Sequence, residues 1–234
     1  MAIALVNTSM GTSVADPVTF SFTCNATTDL LVTLYLWRTT GTAGGIGNPT
    51  FGAQTMTTLI NSAAGTSMGV WLAYIYAPTT GSAQTWTGDM TSAATAGRWV
   101  AAAFSGADSA HVPSTGADTY GTDGTTTATP TVSLSPTATG GMTITGCSHE
   151  GAAIMTAKGA GQTGLGGDAD GFVDEGVWNT AFTYELNPPV GADADVQTFT
   201  NAASDVQRIA SAWFAPAGAA AAVIPDLVTA RRRH

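Results

Sequence analysis

Val18-Thr19-Phe20-Ser21-Phe22-Thr23-Cys24 alternates strictly, with Val18, Phe20, Phe22 and Cys24 on one side and Thr19, Ser21 and Thr23 on the other. Side chains of an extended strand point alternately to its two faces, so this stretch reads as a strand with one face buried and one in water. Shortly after it, Leu30-Leu31-Val32-Thr33-Leu34-Tyr35-Leu36-Trp37 is apolar on both faces and is bounded by Asp29 and the glycine-rich residues 41–47. That pattern marks a strand inside a sandwich. Further strands are expected at residues 1–6, 70–77, 99–104, 130–134, 142–145, 177–186, 195–200 and 207–214, separated by Gly, Pro, Asn, Asp and Ser. About ten strands with almost no helical periodicity predict an all-β chain, a single jelly-roll-like antiparallel β-sandwich over residues 1–214. An extended C-terminal tail over residues 215–234 is set apart by Pro216, an alanine run, Pro225 and terminal arginines.

Of the 234 residues only 10% are charged, against about 25% in an ordinary soluble domain. So few charges leave an exterior of uncharged Thr, Ser and Gly, which suits a surface covered by other subunits better than a freely diffusing enzyme. A net charge of -9 argues against a broad basic footprint for nucleic acid. The exception is Arg231, Arg232 and Arg233, three adjacent cations that read either as a solvated end or as an electrostatic tether to an acidic partner. No apolar run approaches the roughly 18 residues of a membrane-spanning helix, and the opening residues lack the features of a signal peptide. Cys24 and Cys147 are too few for a disulfide framework or a zinc cage and are expected as buried thiols.

Several motifs match catalytic patterns in the wrong context. Gly65-Thr66-Ser67-Met68-Gly69 fits a nucleophile elbow, but that turn needs a strand before the serine and a helix after it, and here a loop precedes and a strand follows. Gly159-Ala160-Gly161-Gln162-Thr163-Gly164 fits a dinucleotide fingerprint with no helix to receive a phosphate. Ser105, Asp108 and His111 are adjacent in sequence only, and Cys147 with His149 is a lone pair of ligands. No cofactor is therefore expected and the chain is read as not an enzyme. The remaining metal reading is calcium at Asp168, Asp170 and Asp174, carboxylates in a glycine-containing loop, although the spacing is not that of an EF-hand. Most of the six tryptophans are read as core. Trp86, between threonines, is the one expected to be exposed, where it would stack on a glycan.

The order of several stretches resembles a jelly-roll module of tailed-bacteriophage structural proteins. These are residues 30–37, the Asn48-Pro49-Thr50-Phe51-Gly52-Ala53-Gln54-Thr55 hairpin, the strand ending in Pro78, and Phe104-Ser105-Gly106-Ala107-Asp108. Gly159-Ala160-Gly161-Gln162-Thr163 and the closing strand 209–214 follow in the same order. The resemblance implies no catalytic residue. It implies a virion context, in which such modules decorate capsids or form parts of tails and fibres. One module with a tail favours a decoration or cement protein at the capsid surface, expected to be homo-oligomeric and partnered by other virion proteins, above all the major capsid protein. From the charge and the apolar runs, neither nucleic acid nor membrane is expected as partner. The alternative is a tail or fibre module that recognises a host glycan.

Overall fold

The computed structural model describes residues 1–39, 47, 49–62, 68–90, 94–120, 128–151, 154–166, 171–174, 178–202 and 207–218. The chain is an all-β antiparallel sandwich, with no helix among the described residues.

The first half contains β1 (Ala4–Thr12), β2 (Val18–Phe22), β3 (Leu30–Arg38), β4 (Thr50–Phe51), β5 (Gln54–Thr55), β6 (Thr57–Ser62), β7 (Met68–Tyr76), β8 (Gln84–Gly88) and β9 (Ala96–Ser105). They form one sheet in the order β1-β9-β3-β7-β6 and a second in the order β2-β8-β4-β5. The chain passes repeatedly from one sheet to the other, the winding of a jelly roll.

The second half repeats this winding, so the all-β sandwich expected over residues 1–214 is built from two successive jelly-roll windings where one was expected. This half contains β10 (Ser114–Tyr120), β11 (Thr131–Leu134), β12 (Met142–Glu150), β13 (Met155–Lys158), β14 (Thr163–Gly164), β15 (Phe172–Asp174), β16 (Trp178–Leu186), β17 (Asp195–Asn201) and β18 (Gln207–Phe214). Its sheets run β10-β18-β12-β16-β14, with β15 also on β16, and β11-β17-β13. Thus β1, β9, β3 and β7 correspond to β10, β18, β12 and β16, and β2 and β8 to β11 and β17. Backbone details repeat as well. Ala77 (φ 48°) and Asn187 (φ 55°), each in the left-handed region that few non-glycine residues adopt, follow β7 and β16 directly.

The two large sheets pack face to face, giving four layers. Leu30, Val32, Leu34 and Leu36 of β3 point into a central core shared with Met142, Ile144, Phe182 and Phe214 of the other half. Leu31, Tyr35 and Trp37, on the opposite face of the same strand, enter the first half's own core with Phe20, Trp71 and Trp86. This is why β3 is apolar on both faces, since its sheet has a layer on either side. Each large side chain so buried contributes about 1.5–3 kcal/mol, so the double-sided strands dominate the hydrophobic stabilisation.

The segment after β18 does not leave the body at once. Ala215 is fully buried, Pro216 bridges to Ala107, and the Ala217 amide donates to the Gly106 carbonyl at 2.7 Å. The remainder of the tail, including Arg231, Arg232 and Arg233, lies outside the described residues.

Candidate functional site

The cores of the two halves differ in chemistry, and the polar concentration lies in the second. Strand alternation aims Thr143 and Thr145 of β12, Thr183 and Glu185 of β16, and Asp195 and Gln197 of β17 into the space between that half's sheets. Gln197 joins them. Its side-chain Nε2 donates to Glu185 Oε2 at 3.0 Å and to Asp195 Oδ1 at 2.6 Å, and its Oε1 accepts from Thr145 Oγ1 at 3.0 Å. Thr143 Oγ1 donates to the other oxygen of Asp195, and Thr145 shares a 2.7 Å bond with Ser211. Gln162 Nε2 donates to Thr183 Oγ1 at 2.9 Å, while its Oε1 accepts the Gly159 amide.

Burial pushes the Glu185 carboxyl above the ordinary carboxylate range; the Gln197 hydrogen bond opposes that shift and the nearby Asp195 adds to it. Gln197 is 0% and Asp195 1% exposed, so the cluster faces no solvent through these two groups. Such a network fixes the spacing of two sheets, because each member is satisfied only when both sheets are in register.

The acidic loop is only partly described. Asp174 ends β15, is exposed, and lies opposite Asn179 of β16. Asp174 also borders a cleft of about 120 Å³ with Ile154, Met155 and Phe172. Asp168 and Asp170 lie outside the described residues, as does Ser67. Among the described residues no group of three or more His, Cys, Asp or Glu converges as a metal site. A second cavity, about 490 Å³, lies where residues 138–140 meet Pro216 and Ala217, and it is lined by no charged side chain.

Trp86 requires a correction. Its side chain is fully buried in β8, stacked on Phe20 at 4.8 Å between ring centroids and edge-on to Trp71 at 5.3 Å. Its flanking threonines alternate to the outer face, which placed the indole inward and removed it from any sugar. All six tryptophans are buried. The residue 159–164 glycines turn from β13 to β14, with strands on both sides. His111 packs edge-on against Trp213 at 4.9 Å, and its amide donates to the Asp108 carbonyl. Cys24 and Cys147 are buried free thiols.

No family model and no curated protein matches the chain. Among solved structures, it is similar to the crystal structure of PBSX exported protein XepA, with 7% identity and a TM-score of 0.26 over 90% of this chain and 86% of that one. A likeness this distant carries neither fold nor function to this chain.

Proposed function

We propose that this chain is a structural protein of a bacteriophage particle, a decoration protein that binds the outer capsid shell as a homo-oligomer and performs no catalysis. The observation that carries this reading is the chemistry of the two outermost layers. The solvent-side positions of β2 and β8 are Thr19, Ser21, Thr85 and Thr87; those of β11 and β17 are Thr131, Ser133, Val196, Thr198 and Thr200. None carries a charge. Hydroxyl-rich faces lose far less on leaving water than charged ones do, so both ends of the four-layer stack suit contact with neighbouring subunits. The jelly-roll winding and the ordered family resemblance over about residues 15–215 support the same context.

In this reading Arg231, Arg232 and Arg233 hold an acidic surface of the major capsid protein, and neither nucleic acid, membrane nor cofactor takes part. The test mixes purified protein with shells that lack it. Saturable binding is expected, with occupancy reduced when residues 226–234 are deleted. Full occupancy after the deletion removes the tether, and absence of binding to shells removes the decoration role.

A further inference from the structure

We infer that the two halves pair through a self-complementary, two-fold-like surface, and that two residue pairs near its axis make each half accept the other half in preference to a copy of itself. Register sets the correspondence. Leu30 pairs with Tyr76 and Phe104 in the first half, and Met142 with Leu186 and Phe214 in the second. Counting along the strands, Tyr74 then matches Tyr184, Phe104 matches Phe214, Leu34 matches Gly146 and Arg38 matches Glu150.

Across the interface Tyr74 meets Phe214 at 5.6 Å and 70°, and Phe104 meets Tyr184 at 6.2 Å and 60°. The two contacts exchange equivalent positions, which is the signature of an isologous interface. Two further positions meet their own equivalents, as happens only near the axis. Arg38 Nη2 lies 3.0 Å from Glu150 Oε1. A Cβ added at Gly146 would stand 2.8 Å from Leu34 Cδ2.

Both axial pairs fit only when unlike halves meet. Two first halves would set Arg38 against Arg38 and force Leu34 against a second leucine where a glycine is needed. Two second halves would set Glu150 against Glu150 and leave a gap between facing glycines. Specificity built by repulsion against the wrong partner is a recurrent device at self-complementary interfaces. The surface of the first half therefore fits the second half of the same chain, to which residues 106–113 join it.

The test is made on the full chain with a protease site introduced at Val112, which is 80% exposed. After cleavage the two pieces are expected to co-elute at the mass of the intact chain. In urea, Arg38→Glu and Glu150→Arg should each lower the midpoint at which the cleaved halves separate, and the double reversal should recover at least half of the summed loss. Gly146→Leu, which gives the second half the leucine of the first, should release the halves. Separation of the cleaved parent in plain buffer overturns the pairing surface. A double reversal no better than the sum of the singles, or Gly146→Leu halves that stay together at the parent midpoint, overturns the selectivity.

Discussion

Where the first half places Leu31, Trp71 and Ile75 in the space between its sheets, the second places Thr143, Ala181 and Glu185 at the equivalent register positions. The strand order is the same, and so is the direction in which each strand's side chains point. One interior is filled by stacked rings, with Phe20 sandwiched against Trp86 and Trp99 at 4.8 and 3.9 Å. The other combines a smaller apolar cluster of Val132, Met155, Phe199 and Ile209 with side-chain hydrogen bonds radiating from Gln197. The lesson is that the ladder and the in-out alternation fix the winding, while the interior tolerates either chemistry provided volume is filled or polar groups are satisfied.

The sharpest way to break the comparison is Trp71→Ala. It removes a fully buried indole from the aromatic interior and is expected to destabilise the chain by about 3–5 kcal/mol in urea unfolding, because the neighbouring rings cannot close the cavity. A loss below about 1 kcal/mol would mean that the first interior is not packing-dominated. Next in size is Gln197→Leu, which keeps the volume but strips donors from two buried carboxyls. The expected loss is about 2–3 kcal/mol, measured the same way. A neutral result would show that the polar interior needs no hydrogen-bond hub.

Glu185→Gln tests the sign of the electrostatics. The folded-state affinity of Glu185 for its proton is raised above the unfolded value, so ionisation opposes folding. Stability contributed by the protonated group is full below the ordinary Glu pKa of about 4.3 and is lost as pH rises through the raised folded value. Melting temperature followed across this window should fall less in the Gln variant than in the parent, and parallel curves would contradict the burial of this carboxyl. The smallest effect concerns the thiols. Burial pushes Cys24 up to about 11 and raises Cys147 as well, so a thiol reagent at about pH 8 should label neither until urea unfolds the chain.

Much of the fold was legible in the sequence. The alternation of residues 18–24 and the two-sided run 30–37 located β2 and β3, and every expected strand segment overlaps an observed one, although β1 starts at Ala4 and runs on to Thr12 where residues 1–6 were expected. β8 is not legible because Trp86 is the one large apolar residue in its five, so the alternation of Thr85, Trp86 and Thr87 is too short to stand out from a threonine-rich turn. The repetition of the winding was hidden because equivalent positions retain few shared residues, among them Thr33 and Thr145, Tyr74 and Tyr184, Arg98 and Arg208, Ala102 and Ala212, and Phe104 and Phe214. The polar cluster had no local signal at all. Thr145, Gln162, Glu185 and Gln197 are distant in sequence and are brought together only by strand pairing across two sheets.

Imaging of intact particles at a resolution that traces chains tests the proposed role most directly. The four-layer pair of jelly rolls should stand on the outer capsid shell, with an uncharged threonine-rich outer sheet against a neighbouring subunit and the C-terminal arginines on an acidic patch. Particles whose shells lack this density, or that carry it only at the tail, would contradict the assignment as a capsid decoration protein.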